Sequence, residues 1–265
     1  MLSLLSFISI QLVFESFPVS SSGHVVLALC LFFSKKIVLF ESLSAVLSTP
    51  ELVLWMNVPT IFVVALFFVK EWWFLLMNLR VTWRVVGKLI GYMVCSNSIT
   101  ALFYLLIHRY DSMIPLWFGF GATAAILLSL RVCSRDDHAT LTTKRALLLG
   151  VVQGVALFPG ISRFAVVFVA SRWMGINVRR SFHITWMLQW PLAVGMALLS
   201  GYQYMMHPTH WVPFDLMTLV AVGGASLFAF MGLYGMYLLS KRGMLWMVSI
   251  YMILPLTISL LYCTH

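Results

Sequence analysis

The sequence predicts an all-α integral membrane protein made of two inverted halves, each a re-entrant helix hairpin followed by three transmembrane helices. Three observations predict it. Hydrophobic residues make up 62% of the chain against 9% charged, with a mean hydropathy of +0.97, so most segments cannot face water around their whole circumference. Two pairs of apolar stretches are too short to cross a bilayer, and each pair is divided by a polar break. The two breaks echo one another: Gln11, Phe17-Pro18 and Ser21 correspond to Gln153, Phe158-Pro159 and Ser162. At ~20 residues per span, the 265 residues hold one membrane domain, residues 1–131 forming the first repeat and 132–265 the second.

The N-terminus, Met1-Leu2-Ser3-Leu4, has no basic region of the kind that precedes a cleaved signal, so the first apolar stretch is expected to stay in the mature protein. Leu2 to Phe17 and Val25 to Phe33 read as two half-helices around Pro18-Val19-Ser20-Ser21-Ser22-Gly23-His24. Irregular backbone at membrane depth is tolerated only against protein or a water-filled cavity, so this heptapeptide should line a cavity. Spans are expected over Leu52–Val69, Val85–Ile107 and Met113–Leu130. The pattern then returns. Ala146–Phe158 and Phe164–Met174 flank Pro159-Gly160-Ile161-Ser162-Arg163, and spans follow over Phe182–Tyr202, Leu216–Leu239 and Met244–Tyr262. Three spans between the hairpins turn the second copy over, giving an inverted-topology repeat.

Charge gives the orientation. The side on which the first hairpin opens receives Lys35, Lys36 and Arg109 against Glu41, Glu51, Asp111 and Asp215, a net of about −1. The other side receives Lys70, Arg80, Arg84, Arg131, Arg135, Lys144, Arg145, Arg172, Arg179, Arg180, Lys241 and Arg242 against Glu71, Asp136 and Asp137, a net of about +9. The basic side is expected in the cytoplasm, with both termini and the mouth of the first hairpin outside. A formal charge of +9 therefore records membrane orientation rather than nucleic-acid binding. Cys30, Cys95, Cys133 and Cys263 lack Cys-x-x-Cys spacing and read as apolar fillers.

Three ionisable residues fall at membrane depth: Glu15, Lys88 and Arg163. Lys88 lies near a helix end and can snorkel to the surface. Glu15 ends the first half-helix, three residues before Pro18, and Arg163 closes the second break, so opposite charges are expected to share one cavity, either as a functional pair or as a structural ion pair tying the halves together. Ser20, Ser21, Ser22 and the Gly23 amide precede a half-helix whose first N–H groups favour an anion, though the same serines would also serve as an ordinary N-cap run. An arginine fork can grip phosphate at two points. With His24 as base or acid and a serine as nucleophile, these groups suit phosphoryl transfer. Glu15 could hold a divalent cation, orient His24 or handle a proton. No Gly-x-Ser-x-Gly elbow of a serine esterase is present.

The segments Gln11-Leu-Val-Phe-Glu15-Ser-Phe-Pro18-Val-Ser-Ser21-Ser-Gly-His24 and Ala156-Leu-Phe-Pro159-Gly-Ile-Ser-Arg163 resemble the two signature motifs of the undecaprenyl-diphosphate phosphatase family, also called the bacitracin-resistance family. Fainter similarity runs through Asn57 to Glu71 and from Trp173-Met174-Gly175 to Pro191. The resemblance implies a bacterial inner-membrane hydrolase with inverted repeats. Such an enzyme removes the terminal phosphate of the lipid carrier diphosphate for cell-wall (peptidoglycan) synthesis and depends on a divalent cation, Mg or Ca. It implies catalytic roles for Glu15, Ser21, His24 and Arg163, with Glu15 at the metal. Ser20, Ser22, Gly23, Ser162 and Gln11 then become phosphate contacts.

The chain departs from the family pattern at three places. Gln11 stands where the first motif glutamate is usual, Phe164-Ala165 replaces a serine-glycine pair, and His183 stands where an acid is common. Gln11, one turn before Glu15, can still project into the same cavity but cannot act as a carboxylate base, so weakened activity is expected. A lipid carrier transporter of the same architecture is the rival, since broken helices at mid-membrane also serve alternating access. His207 and His210 read as loop residues, Asp136-Asp137-His138 as a solvated turn, and Trp72-Trp73, Trp186 and Trp190 as belt or packing aromatics. The expected partners are a polyprenyl diphosphate and the membrane, with no nucleic acid; the oligomeric state, a homodimer included, is not set by the sequence.

Overall fold

The computed structural model describes residues 2–33, 49–107, 115–133, 138–208 and 215–263. Lys35, Lys36, Glu41, Arg109, Asp111, Arg135, Asp136, Asp137 and His210, all placed above from the sequence, lie outside these residues. Among the described residues the chain is helical, with one isolated bridge between Ala139 and Ile176. The first hairpin is α1 (Leu2–Glu15) and α2 (Ser21–Phe33). Then come α3 (Pro50–Phe67), α4 (Val69–Met77), α5 (Leu79–Ile107) and α6 (Leu116–Leu128). The second hairpin is α7 (Thr143–Val155) and α8 (Arg163–Trp173), followed by α9 (Val178–Met206), α10 (Leu216–Lys241) and α11 (Val248–Tyr262).

Among the described residues, five segments are long and apolar enough to cross a membrane: Pro50–Phe67, Leu79–Leu106, Val178–Met206, Leu216–Lys241 and Leu245–Tyr262. The chain is a multi-pass membrane protein. The expected span over Met113–Leu130 is instead the 13-residue α6 with a 3-10 turn over Ser129–Arg131, shorter than a spanning helix needs. A short amphipathic helix, α4, was not foreseen; Val69-Lys70-Glu71-Trp72-Trp73 has the charge and aromatic mixture of an interface segment. The second hairpin arm also starts earlier than its apolar run suggests, since α2 takes in Ser21 to His24 as its first turn.

Packing pairs elements from the two halves. Helix α1 lies on α10, α5 on α7, α3 on α9 and α6 on α11. This set of pairs is unchanged when the elements of the two halves are exchanged in order. The main core joins Val63, Phe68, Phe120, Phe164, Phe168, Phe182, Trp186 and Leu233, so it draws on α3, α6, α8, α9 and α10 together. Phe62, Leu105, Leu198 and Phe228 are more than half exposed on outward faces, as lipid contact requires.

The two hairpin tips meet through glycine. A Cβ built on Gly23 would stand 2.8 Å from the Gly160 Cα, and one on Gly119 would stand 2.2 Å from the Pro159 carbonyl oxygen. Gly160 itself has φ +84°, a conformation that side chains other than glycine's rarely adopt. Thr123, one turn after Gly119 on α6, fixes the same loop: its hydroxyl donates to the Gly160 carbonyl at 2.9 Å and accepts from the Ser162 amide at 3.0 Å. Backbone contact without intervening side chains sets the spacing of the two breaks.

Candidate active site

The sequence ends α1 at Glu15 because Pro18 lies three residues on and denies the helix a continuing N–H. After the turn, Ser20 caps α2, its Oγ accepting from the Gly23 amide at 3.1 Å. In the second hairpin Ser162 does the same for α8, its Oγ accepting from the Ala165 amide at 3.2 Å. Both caps place short polar side chains and a helix N-terminus at the tip of a hairpin, and the glycine junction brings the tips together.

A cavity of ≈ 430 Å³ lies at this junction. Gln11, Glu15, Ser20, Ser21 and Ser22 line it from the first hairpin, and Ile161, Ser162, Arg163 and Phe164 from the second. The Ser21 hydroxyl donates to Glu15 Oε2 at 2.6 Å. Gln11 Nε2 donates to the same Oε2 and to Ser21 Oγ, each at 3.0 Å. The other carboxylate oxygen faces the Arg163 guanidinium at 3.6 Å. Glu15 and Arg163 are the only Asp, Glu, Lys or Arg among the lining residues, and their formal charges cancel. Each helix N-terminus adds roughly +0.5 charge. The cavity therefore favours an anion, and the Arg163 side chain, 38% exposed, can reach one.

His24 sits elsewhere. Its Nδ1 donates to the Ser20 carbonyl at 2.6 Å, and Nε2 is 3.0 Å from the Tyr251 hydroxyl, which must donate to it. The ring stacks on Phe14 at 4.2 Å and is not part of the cavity lining. In this geometry the group beside the serine is Glu15, and His24 contacts the break only at the Ser20 carbonyl. Ser22 is exposed and 3.4 Å from Ser20 Oγ, and Gly23 serves the junction rather than the lining. Gln153, the echo of Gln11, is fully buried, and neither polar atom of its side chain has a hydrogen-bond partner.

Two of the departures are now placed. Phe164 is buried against Phe168, Phe182 and Trp186, with ring centroids 5.7, 5.4 and 5.6 Å away, so its bulk goes mainly into the core. His183 packs edge-on to Phe68 at 5.0 Å, outside the cavity lining. The chain matches the family described as "Bacitracin resistance protein BacA" over residues 7–256.

The chain belongs to the BacA family. Among curated BacA-like proteins it is 28% identical over 246 residues to the undecaprenyl-diphosphatase of Thermotoga maritima, covering 89% of this chain and 90% of that protein. It is 27% identical over 192 residues to the undecaprenyl-diphosphatase of Thermosipho melanesiensis, covering 70% of this chain and 72% of that one. The BacA match takes in both hairpins, so the cavity lies within the family region.

Sequence reasoning missed Thr123, Gly119, Tyr251, Asn57 and Gln189. Asn57 and Gln189 line the cavity from α3 and α9. Their signal was available: each is a carboxamide in a spanning helix, two residues before a helix-internal proline, Pro59 and Pro191.

Proposed function

We propose that this chain is a membrane phosphatase that hydrolyses undecaprenyl diphosphate to undecaprenyl phosphate and phosphate, returning the lipid carrier to cell-wall synthesis. One observation carries the chemistry: the Ser21 hydroxyl is bonded to the Glu15 carboxylate at 2.6 Å, with Arg163 on the carboxylate's other oxygen. A carboxylate accepting from a hydroxyl is placed to take its proton. Ser21 Oγ then bonds to the terminal phosphorus while the bond from that phosphorus to the bridging oxygen breaks. The proton passes to Glu15, and undecaprenyl phosphate leaves with the electron pair. Water next attacks the phosphoserine, the P–Oγ bond breaks, Glu15 returns its proton to Oγ, and phosphate leaves. Arg163 and the amides at the two helix N-termini offset the charge on the transferring group, which is the larger part of the task.

The cavity lining offers a divalent cation one carboxylate, Glu15, and the described residues hold no group of three or more His, Cys, Asp or Glu. Magnesium sits with one or two carboxylates plus substrate phosphate oxygens. The residues thus fit a cation arriving with the diphosphate, held by Glu15, whose charge would offset that of the phosphate oxygens.

The same proposal includes orientation and architecture. The exchange-invariant helix pairing supports an inverted repeat, and the basic excess supports placing the start of α5 and the ends of α8 and α10 on the cytoplasmic side of a bacterial inner membrane. The test is phosphate release from undecaprenyl diphosphate by the detergent-purified protein, beside Ser21→Ala and Glu15→Gln. Loss of roughly 10²–10⁴-fold is expected for each. A Ser21→Ala variant with the wild-type rate would refute serine attack.

A further inference from the structure

We infer that Asn57 and Gln189 form a second phosphate subsite, which holds the non-reacting phosphate that stays on the lipid. This rests on the phosphatase proposal and deepens it. The observation is two carboxamides, Gln189 buried and Asn57 half-buried, that the hydrolytic step does not use. Both carboxamides line the same ≈ 430 Å³ cavity as Glu15, Ser21 and Arg163. Gln189 is 8% exposed, and its Nε2 has no hydrogen-bond acceptor. A buried donor left unpaired is unfavourable, and buried polar groups in native proteins are otherwise paired. Asn57 Nδ2 donates to the Val53 carbonyl at 2.8 Å, which uses one of its two hydrogens.

Placement argues for a lipid-linked phosphate in particular. Helices α3 and α9 pack together, and Trp190 beside Gln189 donates from Nε1 to the Ile61 carbonyl at 3.2 Å, which locks their register. Gln189, Leu192, Ala193 and Met196 follow the i, i+3, i+4, i+7 spacing of one helix face, and all four line the cavity. Val53 lies one turn before Asn57 on α3 and lines it too. The carboxamides are therefore bordered on their own helices by an apolar stripe suited to the first isoprene units. A diphosphate with its terminal phosphate at Ser21 and Arg163, and its chain on that stripe, presents its inner phosphate to Gln189 and Asn57. Neutral donors to its non-bridging oxygens suit that phosphate, which gains charge only on the bridging oxygen as the bond breaks, while the guanidinium serves the one that is transferred.

The two products separate the two subsites. Undecaprenyl phosphate keeps the inner phosphate, whereas inorganic phosphate occupies the outer place. Gln189→Met and Asn57→Leu, each checked for wild-type thermal unfolding, are expected to raise the KM for undecaprenyl diphosphate and the inhibition constant of undecaprenyl phosphate about tenfold, or about 1.4 kcal/mol. The kcat and the inhibition constant of inorganic phosphate should stay near wild type. Unchanged product inhibition, or equal weakening of both inhibitors, would overturn the subsite. Absence of phosphate release by the wild type would instead refute the phosphatase proposal. Direct binding of undecaprenyl phosphate to the wild type and Gln189→Met in detergent then decides the subsite independently.

Discussion

Gly119→Ala isolates the contact on which the meeting of the two hairpins depends. The added Cβ would stand 2.2 Å from the Pro159 carbonyl oxygen and 2.8 Å from the Gly160 Cα, where ordinary contact begins at 3.4 Å. Both neighbours are backbone, so no side chain can rotate out of the way. Relief needs a movement of more than 1 Å (3.4 less 2.2) in α6 or in the second break. The second break carries Ser162 and Arg163, so a shift there displaces the guanidinium from its place beside Glu15. Overpacking of this kind costs about 1–3 kcal/mol in stability. A misplacement of about 1 Å at a catalytic group costs roughly 10²-fold in rate. The assay is phosphate release per folded molecule, with thermal unfolding measured alongside. Gly223→Ala is the control: nothing lies within 4 Å of its added Cβ, and alanine in a helix interior should stabilise by about 0.5–1 kcal/mol. If Gly119→Ala keeps both wild-type rate and unfolding temperature, the glycine junction does not set the site's geometry.

Thr123→Val removes a buried hydroxyl that both donates to Gly160 and accepts from Ser162; a loss of about 1–3 kcal/mol in stability is expected, with lower activity, read by unfolding and phosphate release. Gln11→Glu replaces the amide that donates to Glu15 and Ser21 with a second carboxylate; magnesium affinity measured by calorimetry without lipid should rise roughly tenfold, and no rise would contradict Glu15 as the cation's holder. Tyr251→Phe should cost about 1 kcal/mol in stability and leave phosphate release near wild type, because His24 Nε2 faces Tyr251 and not the cavity. Asp215 caps α10 by accepting from the Thr218 amide at 2.8 Å, which holds its carboxyl below the usual aspartate range. That contribution is present above the unfolded-state value and disappears as pH falls through the lower folded one; Asp215→Asn, which still caps, should flatten this acid-side slope in unfolding scans.

The sequence by itself determined the membrane class, the two hairpins and the polar and charged side chains at their tips. Those features are local: a proline three residues after Glu15 stops a helix, a serine before Gly23 caps the next, and a charge at membrane depth needs a partner. It also determined, through the i, i+4 spacing, that Gln11 and Glu15 would share a face. Helix α4 and the shortness of α6 escaped because hydropathy averages over them without marking where a helix stops. Only the tertiary structure decided which nitrogen of His24 meets which atom, because rotation about α2 puts Ser21 toward Glu15 and His24 toward Tyr251. Gly119 and Thr123 were unreadable as site residues, since their role is to let one backbone approach another from 37 or more residues away. Asn57 and Gln189 carried a signal, a carboxamide before a proline, but only the packing of α3 on α9 turned both toward one cavity with Ser21 and Arg163.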